Sequence, residues 1–167
     1  SSISHLFHTH EGFTPIKLFH RENDKFTMQS DIVEVFDRFY HSTLSRTKNP
    51  LSIVNDTEIS DVSKQCGLVV LPAGSGQDSA DQYIPALANL LNQSSKTFFI
   101  DSYTIEKQCP RDTAIGDYIE DLISQYGRVV ILTCGKFLTG TDIPALGHVI
   151  LFDKMGSLAN FEQLLGR

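Results

Sequence analysis

The second part of the chain contains four short, predominantly apolar runs, at 67–71, 97–100, 128–133 and 148–152. They do not alternate with polar residues, a pattern typical of strands that are buried on both faces. Between them, apolar residues recur at three- and four-residue intervals in segments 84–91 and 115–123, which predicts two amphipathic helices. A further helix is predicted after Gly156, with Ser157 as its N-cap. Strands that alternate with helices predict parallel βαβ units and a sheet that is covered on both faces.

The first part of the chain has a different texture. Apolar residues at helical spacing predict one helix over 30–45, with Ser30 or Asp31 as its N-cap. A polar stretch around Pro50 follows and indicates a loop or linker. We therefore divide the chain into an N-terminal extension or interlobe connection over 1–65 and an α/β domain over 66–167.

Composition and charge narrow the classes of protein. Of the 167 residues, 41% are hydrophobic and 20% are charged, which is ordinary for a globular protein, and no apolar run is long enough for a membrane span. The net charge is 14 − 20 = −6, which excludes a uniformly basic nucleic-acid-binding surface but not a local one. Cys66, Cys109 and Cys134 are odd in number and widely spaced, so we expect free thiols in the reducing cytoplasm. The start at Ser1 and the end at Arg167 indicate a piece of a longer chain.

Ligands of parallel sheets bind at the carboxyl ends of the strands, so the turns that follow the predicted strands are the candidate sites. The turn 72–76 is rich in glycine and its backbone amides could hold a phosphate, although a plain strand-to-helix turn explains it equally well. It is not a Walker A loop, because Gln77, Asp78 and Ser79 replace the Gly-Lys-Ser/Thr ending. The strand that ends at Asp153 resembles a Walker B strand with a Mg²⁺-binding carboxylate, but without a Walker A partner we interpret Asp153 as an exposed residue after a buried strand. The cluster of His5, His8, His10 and Glu11 fits no standard zinc pattern, and we predict no metal site.

Two stretches near the end of the chain resemble a known family. Residues 139–144 read Thr-Gly-Thr-Asp-Ile-Pro, and after one more predicted strand Gln163, Gly166 and Arg167 follow at the spacing Gln-x-x-Gly-Arg. These stretches resemble motif V and the start of motif VI of superfamily 2 helicases and translocases, most closely the branch of the restriction-modification motor subunits and their DEAD/DEAH-like relatives. The resemblance covers about 66–167. It implies a RecA-like three-layer sandwich, the C-terminal of two lobes, with 68–72 in the place of motif IV.

The resemblance also implies roles in ATP hydrolysis. Arg167 would be a catalytic arginine that reaches the γ-phosphate when the two lobes close on ATP. The other residues that the family places at the nucleotide or the lobe contact are Gly140, Asp142, Gln163 and Gly166. ATP and Mg²⁺ would be held mainly by the N-terminal RecA-like lobe, whose motifs this sequence lacks. The chain alone is therefore predicted to be inactive as an ATPase.

A DNA or RNA backbone is the second implied partner. Its phosphates would contact backbone amides and polar side chains at Gly74, Ser75, Ser102, Cys134, Gly135 and Lys136. Cys134 stands where the family often has Thr and offers only a weak donor. Lys136 could equally be a solvated lysine, and Asp142 a turn carboxylate. Two alternatives remain for the chain: a Rossmann- or flavodoxin-like ligand-binding module that uses Gly74–Gly76, or an inactive helicase-like interaction scaffold.

Overall fold

The structure, a computed structural model, describes residues 15–40, 66–134 and 146–152. In chain order, its elements are helix α1 (Pro15–Leu18), strands β1 (Arg21–Glu22) and β2 (Lys25–Phe26), helix α2 (Gln29–Tyr40), strand β3 (Cys66–Val70), a 3-10 turn (Gly76–Asp78), helix α3 (Ala80–Asn92), strand β4 (Phe98–Asp101), helices α4 (Ile105–Gln108) and α5 (Ile115–Tyr126), and strands β5 (Val129–Thr133) and β6 (Leu146–Leu151).

Strands β3 to β6 form a sheet in the order β4-β5-β3-β6, and each neighbouring pair in it is parallel. The register places Leu68 of β3 beside Ile131 of β5 on one side and Val149 of β6 on the other. The four predicted strands and their parallel arrangement are confirmed, with boundaries within two residues of those expected. The continuous apolar runs are explained by burial, because all five residues of β5 are buried.

Helices pack on both faces of the sheet. One face packs residues such as Leu68 and Ile131 against Ile105 of α4 and Ile119 of α5. The opposite face packs alternate strand residues against α1, α2 and α3 in a larger core, whose buried members include Phe19, Phe36, Phe39, Val69, Tyr83, Leu87, Phe99, Val130, Leu132, Ile150 and Phe152. The described part of the chain is therefore a mixed α/β structure with a parallel four-stranded sheet flanked by helices, as the sequence predicts.

Helix α2 lies on the sheet through its aromatic side chains. The ring of Phe36 lies 5.7 Å from that of Phe99 and 6.2 Å from that of Phe152, measured between centroids. The expected cap of this helix was wrong: α2 begins at Gln29, so Ser30 and Asp31 lie in its first turn. The carboxylate of Asp31 is favourable there because it faces the positive end of the helix dipole. The end predicted for this helix, 41–45, falls outside the described residues.

The amino ends of the strands enclose a small polar cluster. The Tyr40 hydroxyl lies 2.9 Å from Nε2 of His148, and the guanidinium of Arg128 donates to the Tyr40 carbonyl oxygen at 3.0 Å. Gly67 lies directly beneath the imidazole, so that a Cβ added there would overlap His148. Gly67 is needed for this close approach. Across 15–40, 66–134 and 146–152, we find no helix with the length and apolar character needed to cross a membrane.

Candidate nucleic-acid interface

Three turns meet where β3, β4 and β5 end, an edge that we call the carboxyl edge: 71–79 after β3, 102–104 after β4, and Cys134 after β5. They lie on the same side because the strands are parallel, and Cys134 is central because β5 lies between β4 and β3. Backbone bonds tie the turns together: Leu71 N–H donates to the Thr133 carbonyl at 2.7 Å, and Ser102 N–H donates to the Leu132 carbonyl at 2.9 Å.

The turn after β3 needs its glycines. A Cβ on Gly74 would overlap the backbone carbonyl of Asp78, since the chain folds back on itself over these five residues. Gly76 has φ +61°, a conformation that residues with a side chain rarely adopt. The 3-10 turn that starts at Gly76 then leads directly into α3. The glycine content of this turn therefore follows from its backbone path.

This path leaves backbone donors exposed at the carboxyl edge. Within the described parts of the chain, the N–H groups of Gly74, Ser75 and Gly76 donate to no acceptor. All three residues are exposed to solvent, and the Ser75 hydroxyl makes no capping bond to the 3-10 turn. Successive free amides in a glycine-rich turn are suited to bind an anion such as a phosphate.

The same turn is anchored from two sides. The hydroxyl of Tyr83, in α3, donates to the carbonyl of Pro72. The Asp78 carboxylate accepts from Arg21 N–H at 3.0 Å and from Nδ1 of His20 at 2.8 Å. Desolvation acts against ionisation of Asp78, but these bonds and the nearby His20 and Arg21 lower its pKa. The turn is thus held as a charged, hydrogen-bonded unit rather than as a loose loop.

Ser102 lies at the carboxyl edge, but its hydroxyl forms a hydrogen bond inside the protein. Ser102 is buried, and its Oγ donates to Oγ1 of Thr133 at 2.9 Å. The residue before it, Asp101, is also buried and ends β4. Its carboxylate accepts from the N–H groups of Tyr103 and Thr104 at 3.1 and 2.9 Å and from the Thr104 hydroxyl at 2.6 Å. These bonds shape the turn into α4.

Of the residues that the sequence predicts to contact nucleic acid or ATP, the structure brings together Gly74, Ser75, Ser102 and Cys134 at the carboxyl edge. Cys134 is half-buried and packs against the larger core. The remaining predicted contact residues lie outside the described part of the chain: Gly135, Lys136, Gly140, Asp142, Gln163, Gly166 and Arg167. The fit of these residues to ATP is therefore an expectation from the resemblance.

Sequence reasoning placed Tyr103 in a candidate turn after a predicted strand but did not name it as a contact residue. It follows β4 at the carboxyl edge and is 40% exposed. Its neighbour Ser102 is one of the residues that the sequence predicts to contact nucleic acid. Desolvation raises the pKa of Tyr103, and the nearby groups of Cys134, Asp81 and Asp101 raise it further. An aromatic residue three positions after a predicted buried strand is the signal that could have identified it.

The described residues offer neither a metal site nor a nucleotide-sized cavity. No three His, Cys, Asp or Glu side chains there are arranged to hold a metal ion. A cleft of about 30 Å³ opens between α2 and the end of α3, far too small for a nucleotide. Its lining residues are Val33, Phe36, Asp37, Leu91, Ser94, Ser95 and Phe99.

Comparison with known proteins gives no match to any protein family, curated protein or solved structure. The structure alone defines the class: in its described residues the chain is an α/β protein with a parallel four-stranded sheet, helices on both faces and free amides at the carboxyl edge.

Proposed function

We propose that the chain is the second RecA-like lobe of an ATP-dependent nucleic-acid helicase or translocase of superfamily 2. The sequence supports this with Thr139–Pro144 and with Gln163, Gly166 and Arg167, which resemble two motifs of that family in the correct order. The parallel sheet is compatible with such a lobe, because it gathers the turn after β3 and the turns after β4 and β5 at one edge.

The observation that carries the proposal is the row of free amides at Gly74, Ser75 and Gly76. A nucleic-acid backbone can be held by backbone N–H groups without any reading of the base sequence. A motor that moves along a strand needs contacts of this kind. Because the contact is narrow, it is compatible with a chain whose net charge is −6.

The second part of the proposal concerns ATP. In the family that the sequence resembles, this lobe completes a nucleotide site whose phosphate loop and Mg²⁺ ligands belong to the first lobe. Arg167 would donate to the γ-phosphate, because a guanidinium stays charged and presents several donors in one plane. Gly140, Asp142, Gln163 and Gly166 would shape that side of the site.

Fluorescence anisotropy with a labelled single-stranded oligonucleotide tests the nucleic-acid contact. Ser75→Asp places a negative charge beside the free amides, and we expect it to weaken binding by about tenfold. Ser94→Asp is the matched control, because Ser94 is also exposed but follows α3 near the amino ends of the strands. We expect the control to bind like the wild type, and binding by both should weaken as salt is raised.

Two results would contradict the proposal. One is the absence of binding by the wild type at low salt. The other is an equal loss in the Ser75→Asp and Ser94→Asp variants, which would indicate a general charge effect. Tight binding of a mononucleotide or flavin without binding of nucleic acid would instead favour the ligand-binding module.

A further inference from the structure

Two tyrosines of the described chain are well exposed, and they lie at opposite edges of the sheet. Tyr126 is 44% exposed and ends α5, just before β5 starts. Its ring stacks on Phe98, with 4.4 Å between centroids and 8° between planes. Packing therefore explains Tyr126 without any ligand.

Tyr103 has no comparable explanation. It is 40% exposed at the carboxyl edge. Among residues 15–40, 66–134 and 146–152, no aromatic ring packs on it and no group hydrogen-bonds to its hydroxyl. Its backbone is nevertheless fixed, because its N–H donates to Asp101 Oδ2 at 3.1 Å. A rigidly based, exposed ring without an intramolecular partner is suited to stack on a ligand.

The surroundings of Tyr103 connect it to the free amides. Cys134, just after β5, and Asp81, in the first turn of α3, are close enough to raise the pKa of its phenol group. Asp81 comes shortly after the turn that contains Gly74–Gly76. The strands that precede Tyr103 and Gly74 are two positions apart in the sheet, which corresponds to roughly 10 Å. A short stretch of extended nucleic-acid backbone spans such a distance.

We propose that Tyr103 stacks on one base of a single-stranded nucleic acid whose phosphates contact the amides of Gly74–Gly76. This inference rests on the proposed function and adds the class of substrate to it. A single strand is required, because the faces of bases in a duplex are already covered by their neighbours. Stacking on an aromatic side chain accepts any base and so preserves sequence-independent binding.

The charges near Tyr103 are consistent with this contact. The Asp101 carboxylate is occupied by donors from Tyr103 and Thr104. Asp81 is exposed and would repel a phosphate placed next to it. A neutral base over the Tyr103 ring and a phosphate over the more distant amides avoid that repulsion.

Binding of oligodeoxythymidylate by the 167-residue chain tests the role of the ring. We expect Tyr103→Ala to weaken binding roughly tenfold or more and Tyr103→Phe to change it less than about twofold, since phenylalanine also stacks. Tyr126→Ala, at the opposite edge, should bind like the wild type. Thermal unfolding of each variant shows that the change in binding is not a loss of fold.

A tryptophan reporter locates the contact. The chain contains no tryptophan, so Tyr103→Trp introduces a single one at the carboxyl edge and Tyr126→Trp a single one at the other edge. Oligodeoxythymidylate should quench the fluorescence of Trp in the first variant only. A strand with the same phosphates but abasic sugars should leave that fluorescence unchanged.

The results separate the two proposals. If the wild type binds the oligonucleotide but Tyr103→Ala binds equally well, or if the abasic strand quenches as strongly, base stacking is wrong and the nucleic-acid contact stands. If the wild type does not bind any single strand, both proposals are wrong. Equal affinity of the wild type for duplex and single strand, with no loss in Tyr103→Ala, also overturns the assignment to Tyr103.

Discussion

His148 is half-buried at the amino ends of the strands and makes few polar contacts. Its Nε2 lies 2.9 Å from the Tyr40 hydroxyl, whereas no described residue hydrogen-bonds to its Nδ1. Burial, with a smaller contribution from the nearby Arg128 cation, lowers the pKa of His148 to about 4. Burial also raises the pKa of Tyr40, so Tyr40 is the donor and a neutral imidazole the acceptor.

A half-buried histidine that is neutral in the folded chain makes the free energy of unfolding depend on pH. The unfolded chain protonates His148 near 6.5, whereas the folded chain does so only near 4. The stabilising contribution is therefore complete above pH 6.5 and is lost as the pH falls from 6.5 to about 4. It amounts to roughly 3 kcal/mol, because each pKa unit corresponds to about 1.4 kcal/mol. Urea unfolding between pH 7 and 4 measures it.

His148→Gln is the control for this prediction, because glutamine keeps a polar group near Tyr40 and does not titrate. The variant should be less stable at pH 7 but should lose less stability on acidification than the wild type. Among the described residues, Tyr40 and Arg128 are the ionisable groups beside His148, and neither titrates in this range. Parallel pH profiles of the two proteins would contradict the assignment.

At the scale of elements, α1 and the β1–β2 hairpin support the turn that contains the free amides. The ring of Phe19 stacks on Tyr83 of α3 at 5.3 Å, and the Arg21 guanidinium lies 5.5 Å from the centre of the Phe26 ring. The hairpin reaches the turn itself through His20 and Arg21, which both contact Asp78. A segment from the N-terminal part of the chain thus positions the candidate phosphate contact.

The pair of His20 and Asp78 can be tested by titration. The hydrogen bond to Asp78 raises the pKa of His20 above 6.5, and the bond to Glu22 adds to it. We expect Asp78→Asn to lower that pKa strongly and Glu22→Gln to lower it less, as followed by the imidazole proton shifts in NMR. The raised pKa means that the stabilising contribution is present below pH 6.5 and is lost as the pH rises through the folded value.

Hydrogen exchange gives a second readout for the same variants. Asp78→Asn should speed the exchange of amides in the turn after β3, because the turn loses its charged anchor, whereas Glu22→Gln should leave them unchanged. An unchanged His20 pKa in Asp78→Asn would show that the pair does not form in solution.

The strands and the two amphipathic helices were predictable because their pattern of apolar residues is set by burial. Val129 to Leu132, for instance, are apolar without a break because helices pack on both faces of β5. Helix α1 and the hairpin were not predictable, since the helix has four residues and each strand two, and they are held by contacts with distant residues such as Asp78 and Tyr83. Local propensity carries little information about such segments.

At the scale of the whole molecule, the turns that form the site were predictable, but the hydrogen bonds and exposure of their side chains were not. Parallel strands imply that Gly74, Ser102 and Cys134 lie at the same edge of the sheet, and the structure places them there. That the Ser102 hydroxyl donates to Thr133, and that Tyr103 is exposed instead, depends on packing between β4 and β5. Spacing along the chain does not reveal it.

The ability of the chain to hydrolyse ATP is also a property of the whole molecule. Its sequence has no Walker A loop, since Gln77, Asp78 and Ser79 stand where the lysine-containing ending belongs. We therefore expect the 167-residue chain to hydrolyse no ATP above the buffer rate, with or without Mg²⁺ and single-stranded DNA, in a phosphate-release assay. Robust Mg²⁺-dependent hydrolysis by this chain would contradict its assignment as the second lobe.

If the chain is the second lobe, as proposed, a two-lobe protein that joins it to a first lobe carrying the phosphate loop allows the role of Arg167 to be tested. In such a two-lobe protein, Arg167→Ala should lower kcat by about a thousandfold while changing the KM for ATP much less, because in the proposed role the guanidinium would act on charge that develops in the transition state. Arg167→Lys should recover only part of the loss, since an ammonium lacks the planar set of donors. Unchanged kcat in Arg167→Ala would remove Arg167 from the catalytic role while leaving the nucleic-acid contact at Gly74–Gly76 to be judged by its own test.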